Sequence, residues 1–140
     1  MTSLSDYCAD LGCPLKNVRW SWCALSDDRR RAVFTVWADE VKDRTFVLFP
    51  ITERRLGEIP EEANQKAGAK EVLEIASYCA GNPQVEVFGV LCVAEDPAAR
   101  PRVRKHFDHE TVFKVSVVSD GERIVAHLIG RMPIESVARR

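Results

Sequence analysis

Three tryptophans lie close together early in the chain. Trp20 and Trp22 fall in the run Asn17-Val18-Arg19-Trp20-Ser21-Trp22, and Trp37 in Val36-Trp37-Ala38-Asp39. In an extended segment residues two apart project from one face, so Trp20 and Trp22 share a face, as do Trp37 and Asp39. Where those faces meet, indole walls stand beside a carboxylate. That pairing suits a planar heterocycle, which needs π-surfaces to stack on and an acceptor for an exocyclic N–H. Trp20, Trp22, Trp37, Asp39 and the intervening Ser21 are the candidate lining of a base-sized pocket. The competing reading is core packing, since an indole buries a large area wherever a sheet meets a helix.

A second pattern is electrostatic. Arg100, Arg102 and Arg104 alternate, and Lys105 adds charge beside them. Guanidiniums spaced this way on an extended segment point in one direction and donate bidentate hydrogen bonds to phosphates. On an edge strand the same charges serve to block unwanted pairing. Arg29-Arg30-Arg31, diluted by Asp27 and Asp28, reads as a solvated turn. The chain holds 20 Lys and Arg against 21 Asp and Glu, a formal net charge of −1. Nucleic-acid binding therefore has to rest on a local patch rather than on a generally basic surface.

Catalytic arrangements are weaker. His106, His109 and Glu110 are the one cluster that points to a metal-dependent hydrolase or nuclease. Their i, i+3 histidine spacing departs from the i, i+4 of the two-His-plus-Glu helix motif, and no further ligand follows at a matching interval. There is no nucleophile elbow, phosphate loop or dinucleotide fingerprint. His127 sits alone in an apolar run and reads as a core residue. The five cysteines are odd in number and scattered, which argues for reduced thiols rather than a disulfide framework. Cys79 and Cys92 have apolar surroundings and read as small buried hydrophobes. Cys8 and Cys13 have the spacing of half a zinc site, without the second half. The reading is a binding module that is not an enzyme, with no catalytic residue, metal or cofactor.

The elements that must position these residues follow from composition and period. With 140 residues, 46% hydrophobic and 29% charged, the chain has the size and makeup of one folded domain spanning residues 1–140. No apolar run approaches the roughly 18 residues needed to span a bilayer. The first residues lack the basic region and apolar stretch of an export signal, which predicts a cytoplasmic protein. Ser3 or Ser5 caps a short helix ending near Leu11. Residues 17–25 and 31–39 read as an antiparallel strand pair joined by the polar turn at 27–30, and residues 44–50 as a third strand. Residues 51–59 read as a loop. After Pro60 comes the clearest helix, with Val72, Ile75, Ala76 and Cys79 on one apolar stripe, ended by Gly81-Asn82-Pro83. Residues 84–94, 100–106, 111–119 and 123–130 are extended, with a tight turn at Asp120-Gly121; residues 131–140 read as a short final helix. The fold class is α+β: a curved, mainly antiparallel sheet or partly closed barrel with one long helix and short terminal helices.

The run Leu11-Gly12-Cys13-Pro14-Leu15-Lys16-Asn17-Val18-Arg19-Trp20-Ser21-Trp22, followed by Val33-Phe34-Thr35-Val36-Trp37-Ala38-Asp39-Glu40, resembles small bacterial modules found alone or fused to HNH-type nucleases. Gly89-Val90-Leu91-Cys92, Pro101-Arg102-Val103-Arg104, Phe107 and Gly130-Arg131-Met132-Pro133-Ile134 fall in the matching order. These modules resemble the PUA-like superfamily, which includes the SET-and-RING-associated, EVE and YTH domains. The resemblance implies a curved β-barrel whose aromatic pocket reads a modified base. It makes Trp20, Trp22 and Trp37 pocket walls, Asp39 the base-edge acceptor, and Arg102 and Arg104 phosphate contacts. The implied ligand is DNA carrying methylated or hydroxymethylated cytosine, with RNA as the alternative polymer, in a restriction or defence setting. A homodimer and a nuclease or methyltransferase partner fit that setting. The rival reading is a protein–protein adaptor or regulatory subunit that binds no nucleic acid, because Trp and Arg are also favoured interface anchors.

Overall fold

The computed structural model describes residues 3–17, 21–57, 59, 61–94, 104–108 and 110–138. The chain order is α1 (Leu4–Asp10), β1 (Cys23–Leu25), β2 (Arg31–Trp37), a 3-10 turn (Ala38–Glu40), β3 (Thr45–Phe49) and α2 (Glu53–Leu56). Then follow α3 (Glu62–Gly81), β4 (Glu86–Ala94), β5 (Arg104–Phe107), β6 (Thr111–Ser119), β7 (Ile124–Pro133) and a second 3-10 turn (Ile134–Ser136). The strands make one mixed sheet in the order β1-β2-β4-β6-β7-β3, with β5 paired to the far end of β4. The sheet curls into a half-barrel around α3, which touches both edge strands, β1 and β3, as well as β6 and β7. The α+β, partly closed barrel architecture is thus the one the sequence predicts.

Why α3 fills the concave face is plain from its residues. Gly68, Glu71, Val72, Ala76 and Cys79 are buried, with Ile75 half-buried beside them, at the 3- and 4-residue steps of a single helical stripe. The β6–β7 hairpin forms where expected. Asp120 Oδ1 accepts the N–H groups of Glu122 and Arg123 at 3.2 and 2.8 Å, and Gly121 takes φ +96°, a region glycine enters without a Cβ penalty.

Strand β2 departs from the expected two-faced pattern. It lies between β1 and β4, antiparallel to the first and parallel to the second, and all seven of its residues are buried. A central strand covered on both faces reads as a nearly continuous apolar run, and its alternation carries no information about solvent. At the crowded centre Gly89 of β4 has no room to spare: a Cβ there would meet Val36 Cγ2 at 3.1 Å and Val115 Cγ2 at 3.2 Å. Gly89→Ala is expected to cost about 1–3 kcal/mol by overpacking, read as a lower denaturant midpoint with unchanged slope.

Four boundaries differ from expectation. Among the described residues the first strand is Cys23–Leu25, with Ser21 and Trp22 outside it, and the second stops at Trp37 because Ala38–Glu40 turns off as a 3-10 helix. Residues 51–59 are not all loop: Thr52 caps α2, accepting the Arg55 N–H on its hydroxyl at 3.3 Å and the Leu56 N–H on its carbonyl at 3.0 Å. The tail does not begin a helix at 131, since β7 runs on to Pro133 opposite Thr111 and, among the described residues, a single 3-10 turn follows.

A cationic cleft between α3 and β1

The indoles do not stand where their spacing suggested. Trp22 is 5% and Trp37 2% exposed, both within the hydrophobic core. Above Trp22 lies Arg55 of α2, 5.5 Å from its ring centroid and 5.1 Å from that of Phe46, a buried cation between aromatic faces. Asp39, carried away from the strand face by the 3-10 turn, is exposed. The alternation that joined Trp37 to Asp39 ends with the strand, so the two do not share a face as strand neighbours. Trp20, Arg100 and Arg102 lie outside the described residues, while Arg104 and Lys105 are backbone positions in β5. Of the predicted pocket residues, Ser21 has the most telling surroundings. It is buried, its Oγ accepts the Asn17 N–H at 3.0 Å, and its hydroxyl donates to the carboxyl of Glu71 on α3.

Other chemical candidates also resolve. His127 is exposed, not a core residue; its Nδ1 lies 3.3 Å from Thr45 Oγ1 across the β3–β7 pair. The five cysteines are buried, and none is in a disulfide. Burial pushes the Cys23 thiol well up and the Cys79 thiol up to about 12, so both stay protonated and behave as small hydrophobes. His106 belongs to β5, His109 lies outside the described residues, and Glu110 is exposed. Among the described residues no three His, Cys, Asp or Glu side chains gather as metal ligands.

The neighbouring Asp108 has a structural role in joining β5 to β6. Its N–H donates to the Leu91 carbonyl at 2.9 Å, while Oδ1 accepts the Glu110 and Thr111 N–H groups at 3.1 Å each. Partial burial opposes its charge. Those bonds, the Thr111 hydroxyl and Arg131 at 4.0 Å nevertheless hold its carboxyl below the usual carboxylate range.

What the fold does assemble is a cleft of about 410 Å³ between α3 and the β1 side of the sheet. Three separate segments supply its cations: Lys16 from the connection after α1, Arg29 from the β1–β2 turn, and Lys70 from α3. Leu25, Ala67 and Ile75 form an apolar wall, and Tyr78 an aromatic one. Arg29 is placed by its turn. Asp28 Oδ1 accepts the Ser26 hydroxyl at 2.6 Å and the Arg30 N–H at 3.0 Å, and Arg29 takes φ +59°. Its guanidinium then lies 4.4 Å over the Tyr78 ring, whose hydroxyl donates to the Arg29 carbonyl at 3.0 Å. A left-handed arginine is strained, and this double tie holds it there. The expected solvated turn therefore splits: Arg29 borders the cleft, and Arg31 is buried.

Glu71 and Glu74 are the acidic members of the cleft. Glu74 pairs with Lys70 at 3.9 Å on the exposed helix surface. Glu71 is different: only 9% exposed, with its Oε1 enclosed and meeting no hydrogen-bond partner. Burial raises its pKa, helped by the charge of Glu74, and outweighs the opposing pull of Ser21 and Lys16. Sequence reasoning missed Glu71. The only signal was its position on the α3 stripe, one residue before Val72.

Two smaller clefts, of about 330 and 220 Å³, border the far end of α3 and the β6–β7 turn; none of the three is lined by an indole. Among the described residues no helix is long and apolar enough to cross a membrane. The class the coordinates define is an α+β half-barrel with a mixed-charge cleft beside its long helix. In comparisons with known proteins, no family model, no curated protein and no solved structure matches this chain.

Proposed function

We propose that this chain is a nucleic-acid-binding module that reads methylated or hydroxymethylated cytosine in DNA, and that the α3–β1 cleft is its ligand site. The observation that supports this siting is the convergence of Lys16, Arg29 and Lys70 from three segments around an apolar and aromatic wall. Cations on separate segments are fixed relative to one another by the fold, as contact with successive phosphates requires. The site thus moves away from an indole box. Trp22 and Trp37 hold the core, and Trp20 stays the pocket candidate, since in sequence it follows cleft-lining Lys16 by four residues. Extruding a base costs a few kcal/mol of stacking, which aromatic contacts of about 1–3 kcal/mol per base offset.

The test is a salt titration of binding to duplexes with methylated, hydroxymethylated and unmodified cytosine, with RNA as competitor. The wild-type chain is expected to favour a modified duplex by about tenfold, equivalent to about 1.4 kcal/mol. Replacing Lys16 and Lys70 together by alanine is expected to weaken binding to every duplex and to reduce the salt slope by about 2. Equal, weak, salt-sensitive binding to all duplexes would refute the reading.

One observation favours a second reading, a protein–protein adaptor. Ile129 and Val118 on β7 and β6 are 55% and 43% exposed, and Ile129 borders the cleft that also contains Val85, Val87 and Val117. A stoichiometric protein partner that co-purifies without nucleic acid would support the adaptor over the DNA reader.

A further inference from the structure

We propose that Arg29 and Tyr78 form a stacking platform in the α3–β1 cleft. The cleft then takes a nucleotide unit, its planar ring lying on the Arg29 guanidinium and its phosphate toward Lys16. This rests on the reading of the cleft as a nucleic-acid site, and it deepens that reading by naming the surface on which the ring lies.

A guanidinium is planar and delocalised, so it offers two faces for stacking and an edge of N–H donors. Here Tyr78 takes one face, with the Arg29 Cζ 4.4 Å over its ring centroid. Arg29 is nevertheless exposed and lines the cleft, which leaves the second face for a ligand. The pair is held from both sides. The Tyr78 hydroxyl donates to the Arg29 carbonyl at 3.0 Å, tying the β1–β2 turn to the C-terminal part of α3. The turn itself is closed by the Arg29 N–H to the Ser26 carbonyl at 2.9 Å and the Ser26 N–H to the Arg31 carbonyl at 2.8 Å. Arg29 holds φ +59°, a left-handed conformation that glycine adopts freely and arginine does not. A turn alone is better served by glycine. The strained arginine gains its use from the side chain, as strained residues at ligand clamps do.

The three cations of the cleft are not equivalent. Lys70 is paired with Glu74 at 3.9 Å. Among the described residues, neither Arg29 nor Lys16 has a carboxylate at ion-pair distance. Burial disfavours the charge of Glu71, with Lys16 near enough to oppose that, so Lys16 faces little fixed negative charge. The cleft follows α3 from Ala67 to Tyr78, about 16 Å of helix, and Glu71 precedes Tyr78 by about 10 Å. The stacked cation and the Lys16 side are therefore separate places within one cleft, with Ile75 between them along α3. Its volume of about 410 Å³ is that of a small-molecule site. A simple anion would need only the cations. A cation stacked on an aromatic ring adds a flat surface, which suits an anion that carries a planar ring.

The experiment titrates the chain by NMR with deoxycytidine monophosphate methylated on its base, and with deoxyribose phosphate, which lacks the ring. The wild type is expected to bind the nucleotide about tenfold more tightly than the sugar phosphate. Arg29→Lys keeps the charge without the plane, and is expected to bind both ligands with the wild-type affinity for the sugar phosphate. Tyr78→Phe keeps the ring and should keep the preference; Tyr78→Leu should lose it. The Arg29 Nε–H resonance, followed in the unaltered chain, is expected to move upfield with the nucleotide and hardly at all with the sugar phosphate. That readout keeps the test alive should a variant fold poorly. Equal affinity for the two ligands in the wild type, or a preference that survives in Arg29→Lys, overturns the platform. The modified duplexes separate this from the wider reading. Discrimination between duplexes that persists in Arg29→Lys overturns the platform alone. Arg29-dependent nucleotide binding without binding to any duplex upholds the platform and refutes the DNA reading. Failure to bind nucleotide and duplex alike overturns both.

Discussion

Replacing Trp37 with alanine is expected to destabilise the fold by about 3–5 kcal/mol, whatever it does to ligand binding. The indole is 2% exposed at the end of β2, in a strand buried along its whole length between β1 and β4. Its removal takes away transfer free energy and leaves a cavity that a central strand cannot collapse to fill. Trp37→Phe, which keeps an aromatic ring in place, is expected to lose much less. Denaturant unfolding followed by circular dichroism measures both. The result separates two roles for the same residue. An indole at the wall of an open pocket is dispensable for folding, and its loss changes stability by no more than about 0.5 kcal/mol while abolishing binding. A stability change that small would return Trp37 to the pocket. A large one explains any binding defect in the variant as a loss of folded protein.

That prediction turns on how far the sequence was legible. The long helix was readable because Val72, Ala76 and Cys79 repeat at its period, and the β6–β7 hairpin because Asp120-Gly121 carries its own turn chemistry. The half-barrel followed from counting strands around one helix. The site did not, and the reason lies in β2. A period of two assigns residues to faces, but it cannot say whether a face meets water or another layer. Trp37 looks outward only if β2 is assumed to be half-exposed. Asp39 failed for a local reason, since three residues of 3-10 turn carry it out of register. Glu71 was hidden by its polarity, because a stripe search counts apolar residues and passes over a carboxyl at a buried position. Four-residue α2, which brings Arg55 between Trp22 and Phe46, is too short to carry the i, i+3, i+4, i+7 pattern by which a helix is read.

Arg31 carries the same lesson to its largest energetic consequence. Nothing distinguishes it in the run Arg29-Arg30-Arg31, yet it is 7% exposed and its neighbours are not. Its fate depends on groups far along the chain. Nη1 donates to the Leu11 carbonyl at 3.2 Å, 20 residues before it, and to the Val137 carbonyl, 106 residues after it. The guanidinium lies 5.0 Å from the Phe88 ring, and Nη2 is 3.6 Å from Glu86, the residue paired with Arg31 across the parallel β2–β4 ladder. One planar cation thus fastens the end of α1 and the C-terminal 3-10 turn to the sheet. Hydrogen bonds from a charged donor contribute about 1.5–3 kcal/mol each, and the partners left behind add their own desolvation. Arg31→Met, which keeps the apolar stem and removes the fork, is expected to cost about 3 kcal/mol or more. Arg31→Lys is expected to recover only part of that, because a single ammonium does not reproduce the guanidinium geometry. Glu86→Gln serves as the control. Glu86 is 53% exposed, so its ion pair contributes at most about 1 kcal/mol and the variant should unfold close to the wild-type midpoint. Hydrogen exchange localises the effect: Arg31→Met should lose protection at Leu11 and around Ile134–Ser136 before the β6–β7 hairpin. Uniform loss across the sheet, or no loss at all, would show that the two ends are held by something other than this side chain.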